Sequence, residues 1–258
     1  MFKVNYVIHA AALKQIDTSE YNPLEFVKTN VLGSSNVIRA SIKNNVEKLN
    51  NVAPERIKME ILKIVHSKWN SSVWQIYSEL QLLKNWNDDN FICTELKRKD
   101  IASKNPLVGS FLAKLTFLLS DEGLSRLTFS KNEIKRCKNL RFWVHKINNL
   151  GLDDLSEDQR FQLHIDMEED LPSFILFLKE SYAGAWLERW KDPSDPLFHP
   201  SSPLDGHLLQ KVFKLPPGPL LGELIRHLSK EKAYGRFFTD TEALEVARKW
   251  TLENSPFL

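Results

Sequence analysis

The chain has 258 residues, 42% apolar and 26% charged, which is ordinary for a soluble globular protein and enough for one large domain or two small ones. With 35 Lys and Arg against 33 Asp and Glu the net charge is +2, so overall charge names no partner and any basic surface must be local. No apolar run approaches the roughly 20 residues that span a bilayer. Met1 leads into a strand-like segment rather than a basic and then apolar leader, and Cys93 and Cys137 fit neither a disulfide framework nor a metal-ligand spacing. The expectation is a cytoplasmic protein with reduced thiols and no membrane partner.

Taken in chain order, residues 4–12 (VNYVIHAAA) form the β-branched, apolar run of a buried parallel strand. Asn22 and Pro23 punctuate the chain, and Leu24, Val27, Val31, Leu32, Val37, Ile38 and Ile42 follow at helical spacing, with Pro23 in the first turn. A seam lies at residues 49–53. Beyond it Pro54 opens a helix whose apolar stripe is Ile57, Ile61, Leu62 and Val65, with Arg56 and Glu60 four apart on another face. Trp74, Ile76, Tyr77, Leu80, Leu82 and Leu83 predict a further helix. Capping boxes at Ser130 with Glu133, Ser156 with Gln159 and Thr239 with Glu242 predict three more helix starts. No hairpin dipeptide between alternating strands follows Ala53. The expected fold class is mainly α, a multi-helix body and tail with a short N-terminal α/β fragment, an incomplete Rossmann-like strand and helix.

Residues 1–48, with their VIHAAALKQ and EYNPLEFVKTNVLGSSNVIRASIKNNVEK runs, resemble extended short-chain dehydrogenases, in particular nucleotide-sugar 4,6-dehydratases and epimerases. That resemblance implies that the strand end at His9, Ala10 and Ala11 lies along bound NAD(P), with the helix that carries Asn30 packed beside it. The family's GxxGxxG turn has no counterpart in these 258 residues, and the sequence leaves the family at residues 46–49, before the strand that its YxxxK or MxxxK signature would follow, so no working cofactor site is expected and these four positions are vestigial.

After the seam, APERIKMEILKIV, IYSELQLLKNW and above all LDGHLLQKVFKLPPGPLLGELIRHLSKEKAYGRFFTDTEALEVARKW resemble class II tRNA nucleotidyltransferases and related bacterial poly(A) polymerases. The resemblance implies a division into a strand–helix fragment (1–49), neck-remnant helices (50–92), a helical body (93–200) and a helical tail (201–258). It places that family's motif E on Arg56 and Glu60. The family's catalytic head, with its Gly-Ser phosphate loop and its DxD carboxylates holding paired Mg²⁺, has no match in this sequence. The nearest acidic triplet, Asp166-Met167-Glu168, lies in residues 164–170 (HIDMEED), read as a solvated acidic face or helix start, and Asp88, Asp89, Asp153 and Asp154 are loop residues. The implied cofactor of this chain is therefore none, Mg²⁺ belonging to the intact family.

What the resemblance leaves is RNA: a body and tail expected to hold the tRNA acceptor arm by shape and phosphate contacts, with a separately encoded head domain as a further candidate partner. The candidate cations are Lys131, Lys135, Arg136, Lys138 and Arg141, with Lys146 beyond them, opposed only by Glu133 and lying off a stripe of Ile134, Cys137, Leu140, Val144 and Ile147. A second group is Arg226, Lys230, Lys232 and Arg236. Pro216, Pro217, Gly218 and Pro219 make a stiff turn before the stripe Leu220, Leu221, Leu224, Ile225 and Leu228, and Gly222 is read as a point of close helix approach. The function expected is the RNA-binding part of a tRNA 3′-end-processing enzyme, inactive alone. The alternatives are a fragment of an NAD(P)-dependent sugar-nucleotide enzyme, or a fusion product without function.

Overall fold

The computed structural model describes Leu24 and residues 27–66, 81–88 and 110–254. The described residues are helical, with no strand among them, which agrees with the mainly α expectation. The strand expected at residues 4–12, and with it His9, Ala10 and Ala11, lies outside them, as do Cys93 and most of the helix expected from Trp74 onward. The chain divides into two compact units, Met1–Lys104 with Phe117–Ser130, and Asn105–Thr116 with Lys131–Leu258.

In the first unit a π-helical turn, Lys28–Gly33, runs into α1 (Ser34–Asn45) and a 3₁₀ turn, Val46–Asn51. Asn30 lies in the π turn. The seam follows at once: Val52 is extended and donates its N–H to Leu49 O at 3.0 Å, and α2 (Pro54–His66) starts at the proline. A proline there disfavours helix at the residue before it, so the sequence stops one helix and starts another within three residues. Ile61 and Val65 of α2 are buried and Ile57 and Leu62 half-buried, as the stripe predicts. α1 is different. None of its residues is buried; Ile38 remains 58% exposed, and Val31 of the π turn before it 57%. The apolar spacing is that of a helix facing a second layer, yet no described residue covers it.

The unit boundary falls within α3 (Ser110–Leu118), apolar nearly all round and buried accordingly at Leu112, Ala113, Leu115, Phe117 and Leu118. In the first unit Ser120 caps α4 (Asp121–Arg126), its hydroxyl accepting the Gly123 N–H at 3.0 Å. Asn87 laces the segment 81–88 to this cap, accepting from Ser120 N at 2.8 Å and donating to Leu118 O at 2.9 Å. Gly123 is what allows that approach: a Cβ there would stand 2.7 Å from Asn87 Oδ1 and 2.9 Å from Trp86 O.

The second unit runs through α5 (Lys131–Leu150), α6 (Glu157–Met167), the short α7 (Leu171–Ile175) and α8 (Glu180–Lys191) to a tail of α9 (Gly206–Phe213), α10 (Pro219–Ala233) and α11 (Asp240–Asn254). α5 starts directly after Ser130. The Ser156–Gln159 box forms in both directions, at 3.1 and 3.3 Å, and so does Thr239–Glu242, with Phe238 N also donating to Glu242 at 2.7 Å. Leu204, Leu209, Leu215, Leu221, Leu224, Leu228 and Phe237 fill the tail core with Ala243 and Ala247. Leu220 and Ile225 are only partly buried. Gly222 needs correcting, because a Cβ at that position meets nothing within 4 Å, so it mediates no close helix approach.

Candidate nucleic-acid interface

Successive residues of an α-helix turn by about 100°, so positions 131, 135, 138, 142, 145 and 149 of α5 fall in one stripe about 80° wide and about 27 Å long. They are Lys131, Lys135, Lys138, Phe142, His145 and Asn149, and all six are exposed. Glu133, the single acid of α5, lies on the far side of the helix. Lys131, Lys135 and Lys138 have no carboxylate partner among the described residues. Lys131 stands in the first turn, where the helix's own partial charge is already positive, so its placement opposes local stability by roughly 0.3–1 kcal/mol while raising the positive potential. Phe142, 53% exposed, meets Trp143 edge-on at 5.0 Å and carries Lys146 Nζ at 5.4 Å from its centroid.

The other cations of the group are occupied. Arg136 grips Asp170 through Nε at 2.8 Å and Nη2 at 2.5 Å, and Asp170 is only 5% exposed. Arg141 donates to Thr116 O at 2.6 Å. The buried stripe beneath is Cys137, Leu140, Trp143 and Val144; Ile134 and Ile147 are half-buried and Trp143 takes the larger share. Cys137 is buried and in no disulfide among the described residues.

The acidic stretch 164–170, read as a solvated acidic face or helix start, is solvated only at Glu168 and Glu169, and Asp170 stands at the start of α7. Asp166 accepts from Trp143 Nε1 at 2.9 Å and Gln162 Nε2 at 2.8 Å, and Asp170 is buried against Arg136. Two of its carboxylates are thus internal anchors for α5. No group of three or more His, Cys, Asp or Glu among the described residues could hold a metal ion, and Asp166-Met167-Glu168 does not fit the paired-carboxylate site of a nucleotidyltransferase. His164 is 1% exposed, its ring 4.3 Å from Phe198 and 5.0 Å from Trp186. Neither ring nitrogen has a partner among the described residues. Burial, with Arg189 nearby, pushes its pKa down to about 3, so it is neutral.

In the tail, three of the four candidate cations brace α10 against α6. Arg226 donates to Gln162 Oε1 at 2.8 Å, Lys230 to Asp158 at 2.8 Å, and Arg236 to Glu157 at 2.5 Å and Glu231 at 2.6 Å. Tyr234 adds a hydrogen bond to Glu157 O at 2.8 Å. The arrangement suits the helix dipoles: acids in the first turn of α6 meet bases in the last turn of α10. Lys232 alone of the four is not drawn into this brace. On α2, Arg56 and Glu60 are both exposed, and Glu60 pairs with Lys63 at 2.7 Å rather than with Arg56. Lys58 packs inward, 3.1 Å from Thr128 O and 4.4 Å from the Phe129 centroid.

Sequence reasoning had found the lysines but not Phe142 and His145, although the acid-free i, i+4, i+7, i+11, i+14 spacing was there to be read. Partners of Arg136, Arg226, Lys230 and Arg236 up to 79 residues away carry no such local signal.

Comparison with known proteins finds two family matches. The family described as polysaccharide biosynthesis protein matches residues 1–57, and that described as probable RNA and SrmB-binding site of polymerase A matches residues 35–87. The two overlap on residues 35–57, which contain the seam. The second match covers α1, α2 and residues 81–87, not α5 or the tail. UDP-glucose 4-epimerases of Rickettsia canadensis and Rickettsia rickettsii are each 57% identical over 49 residues, and that of Rickettsia akari is 56% identical over 46. These stretches are 18–19% of this chain, which spans 14% of the length of those relatives. No solved structure matches. The chain is thus similar at its N-terminus to epimerases and across the seam to an RNA-binding region of polymerase A.

Proposed function

We propose that residues 50–258 are the RNA-holding part of a class II tRNA nucleotidyltransferase: neck remnant over 50–92, body over 93–200 and tail over 201–258. In this reading the chain grips the tRNA acceptor arm in the cytoplasm and supplies no nucleotidyl transfer itself. The observation that carries it is the stripe on α5, where Lys131, Lys135 and Lys138 project without carboxylate partners beside an exposed Phe142. Cations spaced along one helix suit a row of backbone phosphates, and recognition by shape and phosphate is what an A-form arm permits. The match to an RNA-binding region of polymerase A supports an RNA partner. No carboxylate cluster among the described residues could hold a metal ion, and we assign the chain no metal of its own. A separately encoded head domain would supply Mg²⁺ and the chemistry.

The test is tRNA binding by fluorescence anisotropy at low salt. Lys131→Glu, Lys135→Glu and Lys138→Glu together should abolish the affinity of the wild type while the far-ultraviolet dichroism stays unchanged. Undiminished binding by this variant would exclude α5 as the interface. Incorporation of CTP or ATP into a tRNA acceptor by the pure chain would exclude the inactive reading.

A second reading concerns residues 1–49 alone, favoured by the 57% identity to UDP-glucose 4-epimerase. We assign these residues to a fused fragment of such an enzyme without its cofactor site, consistent with the uncovered apolar face of α1. Equilibrium dialysis should detect no NAD binding; saturable micromolar binding would return the segment to a working enzyme.

A further inference from the structure

A cavity of about 350 Å³ opens between the segment 196–203 and the turn joining α10 to α11, within the size range of small-ligand sites. Pro196 and Pro203 line one side, and Lys232, Gly235, Phe238 and Asp240 are also at its walls. Phe238 is the anomaly, a large apolar ring left 88% exposed.

The backbone that carries the ring is anchored. Its backbone N–H is held by Glu242 at 2.7 Å. Its Cζ stands 3.8 Å from where a Cβ of Gly235 would be. Gly235 adopts φ +67°, with its N–H bonded to Lys232 O at 2.9 Å and Arg236 N bonded to Glu231 O at 3.0 Å, the paired bonds that end a helix. That turn brings Phe238 and Lys232, the cation left out of the brace to α6, both to the cavity wall. The cavity wall therefore holds one exposed aromatic ring with Phe237 buried beside it, two prolines, a lysine and an aspartate.

We infer that this cavity binds one unstacked nucleotide of a single-stranded RNA segment. The base stacks on Phe238, its phosphate meets Lys232, and an amino group on the base edge donates to Asp240. A planar ligand with an anionic end and a donor edge matches all four features. A proline-rich peptide instead docks into grooves lined by several aromatic rings, and here Phe237 is buried, leaving a single exposed ring. The inference rests on the RNA reading but uses a different surface from α5, so the two can fail separately.

The experiment titrates the full chain with fluorescein-labelled hexacytidylate at low salt, in parallel with tRNA. Phe238→Ala, which removes only an exposed ring, should weaken hexacytidylate binding by about tenfold or more, and Lys232→Ala should weaken it as well. The triple glutamate variant of α5 should keep most of its hexacytidylate affinity while losing tRNA. Equal hexacytidylate affinity of Phe238→Ala and wild type overturns the inference, as does failure of the wild type to bind this probe. If tRNA still binds in either case, the α5 reading stands. If hexacytidylate binds through Phe238 but tRNA does not bind at all, the nucleotide site stands and the α5 reading falls. A proline-rich peptide that binds through Phe238 where hexacytidylate does not would assign the cavity to a protein partner.

Discussion

Acidification should weaken this fold through His164. The imidazole is enclosed by Phe198 and Trp186 on α8 and the segment after it, and its pKa is pushed down to about 3 from 6.5, first by burial and then by Arg189. Asp195 pulls the other way, while Arg160 and His199 add small opposing charges to any proton on the ring. The folded-state pKa is lowered, so between roughly pH 6.5 and pH 3 the unfolded chain binds a proton that the folded chain refuses. The stabilisation is therefore present above about pH 6.5 and is lost progressively as pH falls towards 3. At pH 5 the loss is RT ln(1 + 10^1.5), about 2 kcal/mol, a large part of the 5–15 kcal/mol typical of a domain. Urea unfolding at pH 7 and pH 5 measures it. Carboxylates elsewhere also respond to pH, so His164→Leu, which cannot titrate, serves as the reference. The wild type should lose about 2 kcal/mol more than His164→Leu between the two pH values. An equal loss in both proteins would show that His164 is accessible to protons, contrary to its enclosure.

Arg136 separates a structural from an RNA role. Arg136→Leu should cost about 3–5 kcal/mol, because it strands the buried Asp170 carboxylate, and Arg136→Leu with Asp170→Leu should recover most of that in urea unfolding. Loss of tRNA affinity by Arg136→Leu at unchanged stability would contradict the assignment. Gly123→Ala should lower stability by about 1–3 kcal/mol, since the new Cβ would collide with Asn87 and the Trp86 carbonyl. An unchanged melting temperature would mean that the 81–88 segment does not pack on α4 as described.

Much of the helical part was legible because its signals are local. Ser156 with Gln159 and Thr239 with Glu242 are three residues apart, and the stripe Leu221, Leu224, Leu228 follows from the period of the helix alone. The fate of the charged groups was not legible, for the same reason. Whether Lys230 faces solvent or Asp158 depends on how α10 lies against α6, a contact made 72 residues apart. Asp166 and Asp170 look like a solvated run in the sequence, yet Trp143 and Arg136 of a different helix take them inside. The i, i+4, i+7 lysines of α5 come out as read because an exposed helix face involves no distant partner. Phe238 left no trace in the pattern. An aromatic residue after a glycine turn is ordinary core material, and only the packing of the tail shows it standing in solvent.

Whether RNA phosphates meet Lys131, Lys135 and Lys138, which have no carboxylate partner among the described residues, is read from the salt dependence of tRNA binding. The six-cation reading of the sequence predicts a log–log slope of about −4 to −5 against salt concentration. With Arg136 and Arg141 held by the protein and Lys146 over an aromatic ring, three phosphates give about −2 to −3. The wild type should show that shallower slope, and the slope should collapse towards zero when Lys131, Lys135 and Lys138 become Glu. An unchanged slope in that variant, or no salt-sensitive tRNA binding by the wild type, would contradict it.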